Sequence, residues 1–176
     1  MSEPAQTRAG FRSLQWLWLT APLVILDQLT KWIVSLELDE FDKINILPFF
    51  DLVRYHNEGA AFSFLAEAGG WQKYFFSSVA ALVSAGILWY QWTLPRKGCR
   101  VLAAGLAMIL AGAIGNLIDR LLYGYVIDFL LLYYEDLAWP AFNVADSAIT
   151  VGVAFVLFDG FFLEKHRRGQ STTESA

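Results

Sequence analysis

Residues 101–122 read VLAAGLAMILAGAIGNLIDRLL, and the chain runs on through Tyr123-Gly124-Tyr125 into Val126-Ile127-Asp128-Phe129. From Val101 to Ile118 there is no charged side chain, and about 20 apolar residues suffice for a helix to cross ~30 Å of hydrocarbon. This stretch therefore reads as a membrane span that turns polar only in its last turns, at Asn116, Asp119 and Arg120. Three further blocks have the same character: Leu14 to Leu36, Trp71 to Trp92 and Asn143 to Leu163. The first carries Asp27 and Lys31 inside a core too long for the apolar region of a signal peptide, so it reads as a retained helix. The expected fold is an α-helical membrane protein with four transmembrane helices. Residues 14–163 form one membrane domain between tails at 1–13 and 164–176.

Composition agrees. Of 176 residues, 56% are hydrophobic and only 17% charged, below the quarter expected of a soluble domain, and the apolar residues are gathered into blocks. A net charge of -4 gives no electrostatic case for nucleic acid. A lone cysteine, Cys99, rules out a disulfide within the chain, and with two histidines it leaves no basis for a structural zinc site. Basic residues set the orientation. Arg8, Arg12, Arg96, Lys97, Arg100, Lys165, Arg167 and Arg168 fall on one side of a four-span chain. The link from Tyr123 to Phe142 on the other side has no Lys or Arg, so both termini are expected in the cytoplasm.

With that orientation, the polar residues of the spans converge at the outer leaflet. Asp27 and Lys31 lie in the outward half of the first helix, and Asn116, Asp119 and Arg120 at the outward end of the third. Asp128 follows on the outer link, and Asn143 and Asp146 open the fourth helix from the same side. Ionisable groups placed against hydrocarbon mark functional sites by default. The longest outer link, Glu37 to Gly70, alternates polar and β-branched or aromatic residues from Ile44 to Tyr55, which predicts short strands. His56-Asn57-Glu58-Gly59 reads as a turn, with Ala60 to Leu65 returning as a second strand or an interfacial segment.

Some of these residues have ordinary structural explanations. Asn143 and Asp146 suit an N-cap and first turn. Asp27 and Lys31, four residues apart, read first as an ion pair. Arg120 has two options, a carboxylate partner or the headgroups. Gly105, Gly112 and Gly115 read as helix contacts, although the last two do not fit the small-xxx-small spacing. Asp128 is harder to explain away, because its neighbours are apolar and its own link offers no cation. Brought beside Asp146, it would form a pair in which one carboxyl keeps its proton while the other takes one from water. There is no Gly-x-Ser-x-Gly and no intramembrane histidine to activate a serine. A serine–lysine pair using Lys31 and a carboxylate-bound divalent metal are weaker readings. From other classes, a proton-coupled carrier or a lipid-binding envelope scaffold would also keep membrane carboxylates, but carriers place their sites near the midplane and often contain repeats.

Five blocks occur in order: Asp27-x-x-x-Lys31, Asn57-x-Gly59-Ala60-Ala61-Phe62, Gly115-Asn116-x-x-Asp119-Arg120, Val126-x-Asp128-Phe129 and Phe142-Asn143-x-Ala145-Asp146. Together they resemble lipoprotein signal peptidase, the bacterial signal peptidase II family, from Asp27 to about Val156. The resemblance implies an aspartic endopeptidase of the inner membrane that cuts prolipoproteins before a diacylglyceryl-modified cysteine. It implies Asp128 and Asp146 as the catalytic dyad. Asn57, Gly59, Asn116, Arg120 and Asn143 would be supporting or substrate-binding positions, with Asp27 and Lys31 a polar pair. It also implies a periplasmic β-cradle over about residues 41–65, contact with membrane lipids, and no metal, organic cofactor or obligate protein partner.

Overall fold

The computed structural model describes residues 15–59, 71–95 and 98–164. The chain tails and Ala60–Leu65, the expected return segment of the outer hairpin, lie outside them. Four helices are long and apolar enough to cross a membrane: α1 (Leu17–Glu37), α2 (Trp71–Thr93), α3 (Arg100–Leu122) and α4, which runs Val144–Phe158 and continues as a π-helical segment Asp159–Leu163. These match the four predicted blocks to within a few residues.

Helix α3 is the axis of the bundle. Over half of its span (56%) is buried, against 17–22% of the other three, so the others pack around it and turn apolar residues such as Trp18, Leu82, Trp89 and Phe161 outward. The close approach of α3 to α4 depends on missing side chains. A Cβ on Gly105 would lie 2.7 Å from the Gly152 carbonyl oxygen, and one on Gly152 would lie 2.6 Å from that of Gly105. Two turns further along α3, a Cβ on Gly112 would lie 2.2 Å from the Ala145 carbonyl oxygen. Between lipid-facing helices, such backbone contact supplies the van der Waals attraction that apolar burial from water supplies elsewhere. The glycines do pack as predicted. The contact pairs Gly105 and Gly112, seven residues apart, with α4, and Gly115 fits against both the Asp27 carboxylate and the Ala145 side chain.

The end of the bundle where α1 and α3 finish and α4 begins carries a four-stranded antiparallel sheet of β1 (Lys43–Leu47), β2 (Phe50–Asn57), β3 (Val126–Tyr134) and β4 (Leu137–Ala138), in that order. The β1–β2 hairpin reverses at Pro48-Phe49, where proline has no N–H to give a ladder, and of the predicted His56–Gly59 turn it is Glu58 and Gly59 that bend the chain. His56 and Asn57 are instead the last residues of β2, paired with Ile127 and Val126 of β3. The link from Tyr123 to Phe142, for which no strand was predicted, thus supplies half of the sheet. Val34, Leu38 and Phe129 form a buried cluster with Leu52, Leu130 and Val144 against it, which fixes the sheet on the ends of α1 and α4.

Candidate active site

Three elements bring Asp128 and Asp146 together. Strand β3 holds Asp128 opposite Tyr55, so that Asn57, two residues along β2, lies on the same face of the sheet. The segment before α4 is stitched to β3: the Phe142 carbonyl accepts from Phe129 N at 3.0 Å and Leu130 N at 2.8 Å, and Phe142 N donates to Leu130 O at 3.0 Å. Asn143 is thereby delivered beside Asp128 just as α4 starts. There it closes a capping box, its Oδ1 accepting from Asp146 N at 2.9 Å while Asp146 Oδ2 accepts from Asn143 N at 3.2 Å. The predicted cap is present and holds Asp146 rigidly.

Amide groups then link the two carboxylates. Asn143 Nδ2 donates to Asp128 Oδ1 at 2.7 Å, with longer contacts to Ile127 O and Asn116 Oδ1. Asn57 Nδ2 donates to the other oxygen, Asp128 Oδ2, at 2.8 Å, and its own Oδ1 accepts from Gly59 N at 2.8 Å. Asn116 Nδ2 donates to Asp146 Oδ1 at 2.7 Å. Asparagine suits these places because it both donates and accepts. Burial and the neighbouring Asp146 charge lift Asp128 from the ordinary 3.8 to about 7, against the pull of the Asn57 and Asn143 donors and Lys31.

Beneath this layer lies a buried ionic one. Lys31 Nζ is 2.8 Å from Asp27 Oδ2 and 2.9 Å from Asp119 Oδ2, and it donates to Asn116 Oδ1 at 3.0 Å. The expected Asp27–Lys31 pair is thus one side of a triad. The ammonium also sets which way the Asn116 amide faces: its oxygen meets Lys31, so its NH2 meets Asp146. Both acids in the triad hold backbone next to the dyad. Asp27 Oδ1 accepts from Ala145 N at 2.8 Å, and Asp119 Oδ2 accepts from Ile127 N at 3.1 Å. Gln28 Nε2 joins Asp119 Oδ1 at 2.8 Å, Gly115 O and Asp27 Oδ2.

Arg120 does not take the first of its two predicted partners, a carboxylate. Among the described residues it forms no ion pair; its guanidinium sits 5.4 Å from the centre of the Phe76 ring and reaches the Asn116 carbonyl at 3.4 Å. The structure thus gathers all nine singled-out residues, namely Asp27, Lys31, Asn57, Gly59, Asn116, Arg120, Asp128, Asn143 and Asp146. Sequence reasoning left Asp119 and Gln28 without a role. Their signal was there to read, two more polar residues in otherwise apolar spans. Among the described residues, no three His, Cys, Asp or Glu side chains converge as a metal-binding group.

The family model described as Signal peptidase (SPase) II matches residues 19–162, which include every part of this site. The chain belongs to the signal peptidase II family. Lipoprotein signal peptidases of Acinetobacter baumannii and Alteromonas mediterranea are 52% and 49% identical to it, over 88% and 84% of this chain and 88% and 81% of their own. Two solved bacterial membrane enzyme structures share its fold. Their TM-scores are 0.71 and 0.70 at 26% and 28% identity, covering 84% of this chain and 93% and 90% of theirs. Membership of the signal peptidase II family makes the chain an aspartic protease of a bacterial membrane and does not favour the carrier or scaffold readings.

Proposed function

We propose that this membrane protease removes signal peptides from prolipoproteins through a dyad of Asp128 and Asp146, cutting on the N-terminal side of a cysteine that carries a diacylglyceryl group. The observation that carries the assignment is the single Asn143 side chain that donates to Asp128 and caps the turn holding Asp146. A buried and a half-buried carboxylate fixed this way share protons. One ionised carboxylate takes a proton from water as it attacks the scissile carbonyl. The other, protonated, polarises that carbonyl and then donates to the leaving amine. The pair titrates as a unit, and no acyl-enzyme forms.

The substrate's signal helix and lipid anchor both lie in the bilayer, so it enters from the side, and its scissile bond meets the dyad at the outer interface. The basic residues of the tails and of the α2–α3 link support this orientation, with residues 1–13 and 164–176 as cytoplasmic tails and the membrane domain between them. The β-sheet, resting among membrane lipids, covers the bond and limits competing water. Purified protein in detergent, with chelator present, is expected to cleave a diacylglyceryl-modified prolipoprotein and leave the unmodified form intact. Folded protein that cleaves neither form, or both equally, refutes the proposal.

A further inference from the structure

Phe76 lies on α2, a helix outside the motifs that carry the family resemblance. Its ring nevertheless touches two parts of the site. It meets Gly59: a Cβ there would lie 2.3 Å from Phe76 Cε2, and Gly59 holds φ +101°, a backbone that glycine adopts freely. Gly59 N donates to Asn57 Oδ1, and Asn57 Nδ2 donates to Asp128 Oδ2. The same ring takes the Arg120 guanidinium at 5.4 Å from its centre. Arg120 Nε is buried with no hydrogen-bond partner among the described residues, and the Arg120 charge acts on Asp146, Asp128 and Asp119. Phe76 is itself braced edge-on by Phe75, at 5.2 Å between ring centres.

A carboxylate placed at Arg120 would neutralise the cation. An aromatic face holds a guanidinium without cancelling its charge, which leaves a positive centre near two carboxylates that must share protons. We propose that Phe76 is a positioning residue for the dyad: its ring, packed against the Gly59 backbone and the Arg120 guanidinium, keeps Asn57 on Asp128 and an un-neutralised cation beside both aspartates. The inference rests on the dyad reading above, and its test separates the two. Cleavage by the parent protein that is lost in Asp128→Asn establishes the dyad, whatever Phe76 does.

Phe76→Leu removes the ring face while keeping an apolar side chain, and Phe76→Tyr keeps the face. Asp128 is faced by Asp146 from α4, Lys31 from α1 and Arg120 from α3. Loosening Asn57 and Arg120 withdraws a donor and a positive charge from the pair, and both losses favour the protonated forms. The leucine variant is therefore expected to lower kcat about tenfold, between the values for an exposed and a fully desolvated cation–π contact, with a smaller change in KM. Its bell-shaped pH–rate profile should move to higher pH, and the tyrosine variant should keep the parental profile. Phe76→Met, which refills the volume without a ring, carries the same test if the leucine variant does not fold. A leucine or methionine variant that loses thermal stability but keeps the parental kcat and pH profile overturns the proposal. Equal damage in the tyrosine variant overturns it too.

Discussion

Replacing Asp128 with Asn separates what this carboxyl does for the reaction from what it costs the fold. Its pKa rises from the ordinary 3.8 to about 7 in the native state, first through burial and then through Asp146. The folded protein therefore holds a proton that the unfolded chain releases. Stability from this group is fully present below pH 4 and is lost as pH rises through 7. Each pH unit between the two values is worth about 1.4 kcal/mol, so the loss between pH 5 and pH 8 is about 2.5 kcal/mol and the full loss at pH 8 about 4 kcal/mol. Asn does not titrate and escapes this loss. Against that, its NH2 must face one of two donors, Asn143 Nδ2 at Oδ1 or Asn57 Nδ2 at Oδ2. A broken hydrogen bond of this kind costs about 1–3 kcal/mol at every pH. Since that term is constant, the comparison across pH is free of it. Unfolding of parent and variant in detergent, measured at pH 5 and pH 8, should show the variant gaining about 2.5 kcal/mol on the parent as pH rises. Parallel stability curves would refute the claim that Asp128 is held protonated by burial.

Other substitutions test the supports. Asn143→Ala removes the α4 cap and one donor to Asp128, so both rate and stability should fall, the latter by about 1–2 kcal/mol for the cap alone; an unchanged melting temperature would argue against the capping box. Gly112→Ala puts a methyl group within 2.2 Å of the Ala145 carbonyl, a backbone atom that moves only if α4 moves. A loss of about 1–3 kcal/mol together with loss of cleavage is expected, and a variant with parental thermal denaturation and turnover would show that this contact does not set the position of Asp146. Lys31→Met leaves Asp27 and Asp119 facing each other unpaired, at a cost of about 3–5 kcal/mol. Chemical denaturation showing near-parental stability would mean that the triad holds less than its geometry implies.

The spans were legible because hydrocarbon leaves little choice. A run such as Val101–Leu122 can satisfy its backbone only as a helix, and its length matches the bilayer. The convergence of polar residues at one face was legible for the same reason, since each polar residue stands out against its span. The sheet was harder to read. Val126–Tyr134, VIDFLLLYY, is a nearly continuous apolar run without a period of two, because it is buried over its first half and has an aspartate within it. Its partner strand lies some seventy residues earlier, and nothing local records that pairing. Asn57-Glu58-Gly59 carries turn residues, which hid the fact that Asn57 still belongs to the ladder. The roles of Asn116 and Lys31 were the least visible. Which end of the Asn116 amide meets Lys31 and which meets Asp146 follows only from the register of three helices, and Asp119 completes the triad from a different span than Asp27.

The most direct measurement is single-turnover cleavage of a diacylglyceryl-modified prolipoprotein by purified Asp146→Asn and Asp128→Asn proteins, each first shown to be folded. Both should be inactive with chelator present or absent, while the parent cleaves under the same conditions. Substantial turnover by either folded variant would contradict the dyad.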